Sequence, residues 1–365
     1  MLTLRKFMEK INTGGKFSPS IRYNESMSRH TTFKVGGKAD VWVRPGKDIF
    51  PVYASRLLKA AKEEGIPVFI LGAGANIVVS DQGIRGIVLD TGAFRGIGKR
   101  EDRKACGKEG AAEVIDAVSP THGSLTSDSM PGEPKEPKKI DEFEALKARR
   151  EKALFSVSVL SGTSVDGLTF RLAERGLSGL EFLAGMPGSV GGAIWMNARC
   201  YEKSVSDVLI ETEILDENFQ RVKVPFNNED FSYKKSPFQT RKVLILSARF
   251  AVQFKESQEI HKELTNYRQN RTDKGHYRSP SAGSAFKNNR DFGDPTGRII
   301  DQLGLRGLCI GGAQVAPWHG NIIINTGNAM ASDIKILMKE IARRVKEERG
   351  LELESEILFI GDWEE

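Results

Sequence analysis

Residues 176–197 read Gly-Leu-Ser-Gly-Leu-Glu-Phe-Leu-Ala-Gly-Met-Pro-Gly-Ser-Val-Gly-Gly-Ala-Ile-Trp-Met-Asn, and their second half sets glycines and a proline between two apolar segments. Glycine has no Cβ and tolerates backbone angles closed to other residues, so such a stretch lets the chain approach a flat or charged surface. On this reading Pro187, Gly188, Ser189, Gly191 and Gly192 form a loop whose hydroxyl and free amides grip a phosphate or a ring edge. A tight turn inside a packed core accounts for the same residues.

A second glycine site lies upstream. Residues 66–71 are continuous and apolar, Gly72, Ala73, Gly74, Ala75 and Asn76 follow, and a second apolar run covers 77–80. The pattern is strand, glycine-rich turn, strand. A Rossmann turn needs G-x-G-x-x-G opening a helix; here the third glycine is missing and the next segment is β-like. No glycine loop is followed by Gly-Lys-Ser/Thr, so the P-loop pattern fails too. A pyrophosphate held here would be held by backbone amides and Asn76, outside both common frameworks. A plain hairpin is the competing expectation.

The chain has 365 residues, enough for two or three domains with real cores. Its net charge of +6 suits an anionic small substrate as well as a nucleic acid. No Lys/Arg run with interleaved aromatics is present, so no nucleic-acid partner is expected. Cys106, Cys200 and Cys309 are far apart, with no CxxC and no histidine at ligand spacing. That argues against a metal site or a disulfide framework and suits a reducing cytosol. Residues 1–17 lack the apolar core of a signal peptide and no stretch is apolar enough to span a bilayer, so the expectation is a cytoplasmic protein without a membrane partner.

Residues 1–27 read as an N-terminal extension. Short β-like runs cover 39–43, 68–71 and 87–89, with a helix over 53–64 whose Leu57, Leu58 and Ala61 share a face and which Gly65 closes. From about 104 to 152 a Ser/Thr/Gly/Pro tract gives way to alternating charges, the composition of a flexible insertion ending in a solvated helix over 141–153. Order resumes with a strand over 155–160 and a helix over 165–174. Hairpin strands follow at 209–215, 221–224 and 242–254, then helices at 257–271 and 296–303. Residues 332–349 form a strongly amphipathic helix that Ser332 can cap and Gly350 stops. A strand over 357–360 closes the chain. Strands and helices mix without strict βαβα alternation, which favours α+β over a doubly wound parallel sheet.

Three segments carry groups capable of chemistry. In Pro280-Ser-Ala-Gly-Ser-Ala-Phe-Lys-Asn288 there is no Gly-x-Ser-x-Gly elbow and no evident His or Asp partner, so a serine hydrolase is poorly supported. A serine can instead donate a proton where neighbours such as Lys287 stabilise the alkoxide left behind. Glu352, Glu354 and Glu356 would share one face of a strand. Tyr233, Lys234 and Lys235 set two cations beside a phenol. Taken singly, a serine-glycine turn, a solvated edge and a surface turn explain these segments as well.

Taken together, the chain resembles the UDP-N-acetylenolpyruvoylglucosamine reductases of peptidoglycan synthesis. The resemblance is carried by His30-Thr-Thr-Phe-Lys-Val-Gly-Gly37, Leu71-Gly-Ala-Gly-Ala-Asn76, residues 176–197 and Pro280 to Asn288, with Ile310-Gly-Gly-Ala-Gln314, Asn325-Thr-Gly-Asn328 and Glu354-Ser-Glu-Ile-Leu-Phe-Ile-Gly361 after them. These run in the family's order over nearly the whole chain and are similar to its shorter, second type. The resemblance implies an α+β fold: a two-lobed FAD-binding domain of the vanillyl-alcohol oxidase type over 28–252, interrupted by the insertion, then a C-terminal α+β substrate-binding domain over 253–365. It implies non-covalent FAD between the lobes, with Gly72 to Asn76 and Pro187 to Ala193 approaching the pyrophosphate and flavin. NADPH would reduce the flavin. Flavin N5 would then deliver hydride to C3 of UDP-N-acetylglucosamine enolpyruvate, and protonation at C2 would give UDP-N-acetylmuramate.

The resemblance assigns roles by position. Ser284 matches the proton donor to C2. Glu356 matches the carboxylate near the enolate, a hydrogen-bond donor there if protonated. Tyr233, Lys274 and Asn288 match substrate contacts. Lys234 stands where the family usually has arginine, keeping the charge that clamps the substrate carboxylate but losing the two-pronged geometry. Gly275-His276 stands where Gln-Pro is common. No metal is implied, and the family suggests a monomer. Two other readings stay open: a carbohydrate oxidase of the same FAD fold, disfavoured because the FAD loops hold no obvious His or Cys for covalent attachment, and a non-catalytic flavin-binding relative.

Overall fold

The computed structural model describes residues 2–12, 19–102 and 155–363. The expected insertion at about 104–152, with Cys106 and the helix over 141–153, lies outside the described residues.

The chain opens with α1 (Leu2–Asn12), whose Phe7, Met8 and Ile11 are buried. Strand β1 (Ser20–Ser26) pairs antiparallel with β2 (Lys38–Arg44), Ser20 opposite Arg44 and Ser26 opposite Lys38. Helix α2 (Phe50–Glu63) starts three residues before the sequence expectation because Pro51 sits in its first turn. Proline is tolerated there, where the missing N–H has no intrahelical acceptor. Phe50, Tyr53, Ala54, Leu57 and Ala61 make the helix's buried face and meet α1's apolar residues in one cluster. Strand β3 (Val68–Leu71), β4 (Ile77–Val79) and β5 (Ile84–Asp90) follow. The first sheet runs β1-β2-β5-β3, with β5 parallel to both β2 and β3.

The second sheet is antiparallel. It takes β6 (Ile97–Asp102), β7 (Phe155–Leu160), β8 (Leu209–Leu215), β9 (Arg221–Pro225) and the long β10 (Leu244–Phe254) in the order β9-β8-β10-β7-β6. Between β7 and β8 the chain forms α3 (Val165–Ala173) and the short α4 (Val190–Trp195). Leu168, Leu172 and Ile194 from these helices join Val157, Val159 and Phe250 of the sheet in a single apolar cluster.

Past the second sheet, α5 (Ser257–Asp273) packs on α3 through Ile260 and Leu264. Then come α6 (Thr296–Gln302), a small antiparallel sheet of β11 (Cys309–Ile310), β12 (Ala313–Val315) and β13 (Ile323–Asn325), and α7 (Ala331–Arg349). Ile334, Leu337, Met338, Ile341 and Val345 of α7 face a core that also takes in Phe33, Val35 and Val78 from the first lobe. The last strand, β14 (Leu358–Ile360), returns to pair in parallel with β4, Leu358 opposite Ile77. Among the described residues no helix is long and apolar enough to cross a membrane.

Two local expectations are corrected. The run through Gly72 to Asn76 is not a hairpin: β3 pairs with β5 while β4 pairs with β14, so the turn hands the chain from one sheet to another. Both strands are apolar throughout, so their composition does not say which neighbour they take. Ser332 does not cap α7. Its amide and that of Ala331 donate to the Asp81 carboxylate, both at 2.8 Å, while Asp333 of the first turn accepts from the Met330 amide at 2.9 Å, so the cap is shared between the helix itself and a residue 250 positions away. Gly350 ends the helix in the left-handed conformation (φ 67°), as its position suggested.

Candidate active site

The two glycine loops meet. A Cβ on Gly72 would stand 2.4 Å from Ser189 Oγ, so the first loop closes on the second directly against that hydroxyl. Gly74 adopts φ +64°, and a Cβ there would stand 2.0 Å from the His30 carbonyl oxygen. Ser189 caps α4, its Oγ accepting from the Gly192 amide at 3.3 Å. The amides of Val190 and Gly191 donate to the Thr163 and Ser161 carbonyls at 2.9 and 2.8 Å. The expectation of a row of free amides over 188–192 is therefore corrected. Those of 190–192 are spent on building the loop, and the partner that takes two of them, Ser161-Gly-Thr-Ser164, looked in the sequence like no more than turn chemistry. Pro187 is exposed just ahead of them. The loop before it is strapped down by Arg271 Nε, which donates to the Ala184 carbonyl at 3.1 Å, and by Tyr277 Oη, which donates to the Gly185 carbonyl at 2.5 Å.

Beside Gly72 and Ala73 opens a cavity of about 280 Å³, walled also by Arg29, His30, Thr32 and Arg44. Asp90, 2% exposed, anchors this wall by accepting from Arg44 at 2.8 Å, from Trp42 Nε1 at 3.1 Å and from the Gly92 amide at 2.6 Å. His30 stacks on Trp42 and bonds Glu25 through Nε2 at 2.9 Å. Burial pushes the Glu25 carboxyl up, but hydrogen bonds from His30 and Arg22 outweigh it and hold the group below its usual range. Arg44 Nε is buried without an acceptor. Arg44 also lines the cavity beside Gly72 and Ala73, and a guanidinium there fits an anionic ligand such as a pyrophosphate. His30 lies in the first of the family-like motifs, but no role for it was legible in the sequence; Arg44 and Asp90 carried no signal.

Glu356 joins four segments. Its backbone amide donates to the Ala285 carbonyl at 2.9 Å, and Lys287 N donates to the Glu354 carbonyl at 2.9 Å, so the two stretches form a short antiparallel ladder. Ser284 is therefore one residue from the rung that holds Glu356. Its own hydroxyl makes no hydrogen bond among the described residues. Asn76 Nδ2 donates to the Glu356 carbonyl at 2.9 Å, tying the first glycine loop to the same point. Lys234 Nζ donates to Glu356 Oε1 at 2.5 Å, and both side chains are only about one-eighth exposed (13% and 12%).

The three glutamates do not act as one face. Glu352 pairs with Lys346 and Glu354 with Lys287, both largely exposed; only Glu356 turns inward. Tyr233 and Asn288 come together, the Asn288 amide reaching Tyr233 Oη at 3.4 Å. They share a second cavity, of about 390 Å³, with Lys235, Lys287, Phe292 and the carboxylates Glu352 and Glu354. Asn288 Oδ1 is committed to the Thr296 amide at the start of α6, at 3.0 Å. Lys274 caps the end of α5 and stands 6.0 Å from the Tyr201 ring; it lines neither cavity.

Lys234 sits at the tip of a tight turn in which Ser232 and Lys235 exchange backbone hydrogen bonds, with φ +57° at Lys234 itself. Three residues to which the sequence assigns no role hold this turn. Asn197 Nδ2 donates to the Ser232 carbonyl at 2.9 Å, Gln239 Nε2 donates to the Lys234 carbonyl at 3.0 Å, and Ser236 Oγ ties the following residues to α4 through the Trp195 carbonyl at 2.7 Å.

Comparison with known proteins places these features in company. Residues 275–360 match the family model for the C-terminal domain of UDP-N-acetylenolpyruvoylglucosamine reductase. The chain is 35% identical to the UDP-N-acetylenolpyruvoylglucosamine reductase of Treponema denticola over 94% of each chain. It is 34% identical to that of Borrelia garinii subsp. bavariensis, over 98% of this chain and 97% of the relative. Among solved structures it is similar to the UDP-N-acetylenolpyruvylglucosamine reductase of Thermus caldophilus, with a TM-score of 0.63 and 27% identity over 94% of this chain and 99% of that one.

Proposed function

The chain belongs to the UDP-N-acetylenolpyruvoylglucosamine reductase family, and we infer that it reduces UDP-N-acetylglucosamine enolpyruvate to UDP-N-acetylmuramate, a peptidoglycan precursor, with non-covalent FAD and with NADPH as electron donor. The observation that carries this reading is the meeting at Glu356 of Lys234, the Ser284 segment and Asn76 of the first glycine loop. When bound, the flavin takes reducing equivalents from NADPH and passes them to the vinyl ether of the sugar.

The residues of the chain supply the rest. Gly72, Ala73, Gly74, Ala75 and Asn76, with Pro187, Gly188, Ser189, Gly191 and Gly192, would hold the cofactor, and Arg44, half-exposed and paired with Asp90, would add a positive charge toward its phosphates. Lys234 places a positive charge where the substrate carboxylate gathers electron density. An ammonium in a water-poor site stabilises such a charge far better than bulk solvent does. In this geometry the same ammonium is shared with Glu356, so the substrate carboxylate joins or displaces an existing ion pair. Ser284, its hydroxyl uncommitted, gives the proton to C2. A serine is a weak acid and needs the nearby cations to bear the alkoxide it leaves. Tyr233 and Asn288 face the larger cavity, where Lys235 would meet the diphosphate of the sugar nucleotide beside a Lys287 held by Glu354, and Lys274, outside that cavity, is kept as an expected substrate contact. The division of labour in this reading is cofactor binding by 28–252 and substrate binding by 253–365, in a monomer acting in the cytosol.

The experiment is anaerobic. Protein loaded with FAD should be yellow, should bleach with NADPH, and should recover its colour when the enolpyruvyl sugar is added. A Ser284→Ala variant should bleach normally and recover at least a hundredfold more slowly. Recovery only with oxygen would favour an oxidase of the same fold. Failure to recover with either would favour a non-catalytic flavin protein.

A further inference from the structure

We propose that Gln239 is a positioning residue for this reaction: through the end of α4 it sets where the Lys234 ammonium stands. The inference rests on the role given to Lys234 above.

The C-terminal carbonyls of a helix have no intrahelical donor. In α4 the Trp195 carbonyl is such a group, and it accepts from Ser236 Oγ at 2.7 Å and from Gln239 Nε2 at 2.9 Å. The same Nε2 donates to the Lys234 carbonyl at 3.0 Å. A primary amide nitrogen carries two hydrogens, and both are used here, one on the helix and one on the turn. Gln239 thus fastens the tip residue of the turn directly to α4. The residue it fastens is held in the left-handed region, which a lysine adopts only where its surroundings impose it. Asn197, 2% exposed, fixes the first residue of the same turn through the Ser232 carbonyl while its Oδ1 accepts from the Ser206 amide at 3.0 Å.

The other end of α4 gives this arrangement its meaning. Its cap, Ser189, is the residue against which Gly72 closes. The helix has six residues and so spans about 9 Å at 1.5 Å per residue. One rigid turn and a half of helix therefore separates the loop on the cofactor side from the turn that carries Lys234. Gln239 is the clamp that makes Lys234 keep that spacing. Without it Asn197 and Ser236 still hold the two flanks of the turn, but nothing holds the Lys234 carbonyl at its tip, and the ammonium loses its fixed direction toward Glu356.

The test compares the two halves of the cycle in FAD-loaded protein. Gln239→Met keeps the length of the side chain and removes both donors. Bleaching by NADPH should stay within twofold of the parent, recovery of colour with the enolpyruvyl sugar should slow at least tenfold, and the sugar product should bind the oxidised protein several-fold more weakly. In a Lys234→Met background the same change should add less than twofold, because the group it positions is already gone. Gln239→Asn, polar but too short to reach both carbonyls, should behave like Gln239→Met and serves in its place if that variant does not fold. The proposal is overturned if the loss is as large without the lysine, if bleaching slows in step with recovery, or if both variants match the parent. Should the parent itself not recover with the sugar, the functional reading falls and this one falls with it.

Discussion

At Lys234 one substitution within a family separates charge from shape. An arginine fork can grip a carboxylate with two parallel hydrogen bonds, whereas an ammonium is a compact point charge. Here that charge is already engaged by Glu356 at 2.5 Å in a site largely closed to water. Removing it with Lys234→Met should cost a hundredfold or more in kcat/KM for the sugar, the order found when one preorganised electrostatic donor is lost, with flavin reduction by NADPH unchanged. Lys234→Arg should keep most of the turnover and lower KM a few-fold. If Lys234→Arg changes neither turnover nor affinity, Lys234 does not touch the carboxylate. His276 gives a second residue-scale prediction. Burial, with Arg271, His319 and Lys274 around it, lowers its pKa from 6.5 to about 4. The folded protein therefore binds fewer protons there than the unfolded chain between these two values. Stability from this site is fully present above pH 6.5 and drains away as the pH falls toward 4. A partly exposed ring discounts the full shift to about 1–2 kcal/mol. Urea unfolding of His276→Gln should thus lose less stability than the parent between pH 7.5 and 5; equal losses would show that the ring does not titrate this way.

At the scale of elements, what the sequence made legible was periodicity and punctuation. Ala331–Arg349 announces itself by apolar spacing and a stop signal, Val165–Ala173 by the glycine that follows it, and Ser257–Asp273 only as a polar helix. Pairing was not legible in the same way, because β3 and β4 are apolar on both faces and nothing local tells them apart from a hairpin. The glycine loops were visible as loops, but their meeting was not, since 117 positions separate Gly72 from Ser189. That contact makes a specific prediction. A Cβ at residue 72 would stand 2.4 Å from Ser189 Oγ but 3.6 Å from Ser189 Cβ. Gly72→Ala must therefore turn the hydroxyl away from the Gly192 amide and lose the cap of α4, a change worth about 1 kcal/mol. It should also weaken FAD retention. Adding Ser189→Ala removes the atom in conflict, so the double variant should be no less stable than Ser189→Ala alone. Additive losses in urea melts would mean that Gly72 is required for its own backbone rather than for the contact.

At the scale of the molecule, the two ends of the chain are bound to each other where the reaction is proposed to occur. The mixed order of strands and helices pointed to α+β, and the ordered motifs resembled one family, so the architecture was readable in outline. The bonds that assemble it were not. Asn76 to Glu356 spans 280 positions, Asp81 to Ala331 spans 250, and β14 lies beside β4 rather than beside any strand near it in sequence. Such pairings are selected by tertiary packing and leave no local pattern. Asp81 shows what they contribute. Its carboxylate shares with Asp333 the capping of the longest helix of the C-terminal half, and it projects from the turn that follows β4. A negative charge at a helix N-terminus both satisfies orphan amides and meets the positive end of the helix dipole. Asp81→Ala should therefore destabilise the protein by about 1–2 kcal/mol, and Asp81→Asn by less, since the amide oxygen still accepts one bond. Because β4 also carries β14, and β14 follows directly on Glu356, loosening this joint should raise KM for the sugar while NADPH-driven bleaching keeps its rate. An Asp81→Ala protein with parental stability and parental KM would show that apolar packing alone seats α7 on the first lobe, and that the position of Glu356 does not depend on how firmly it is seated.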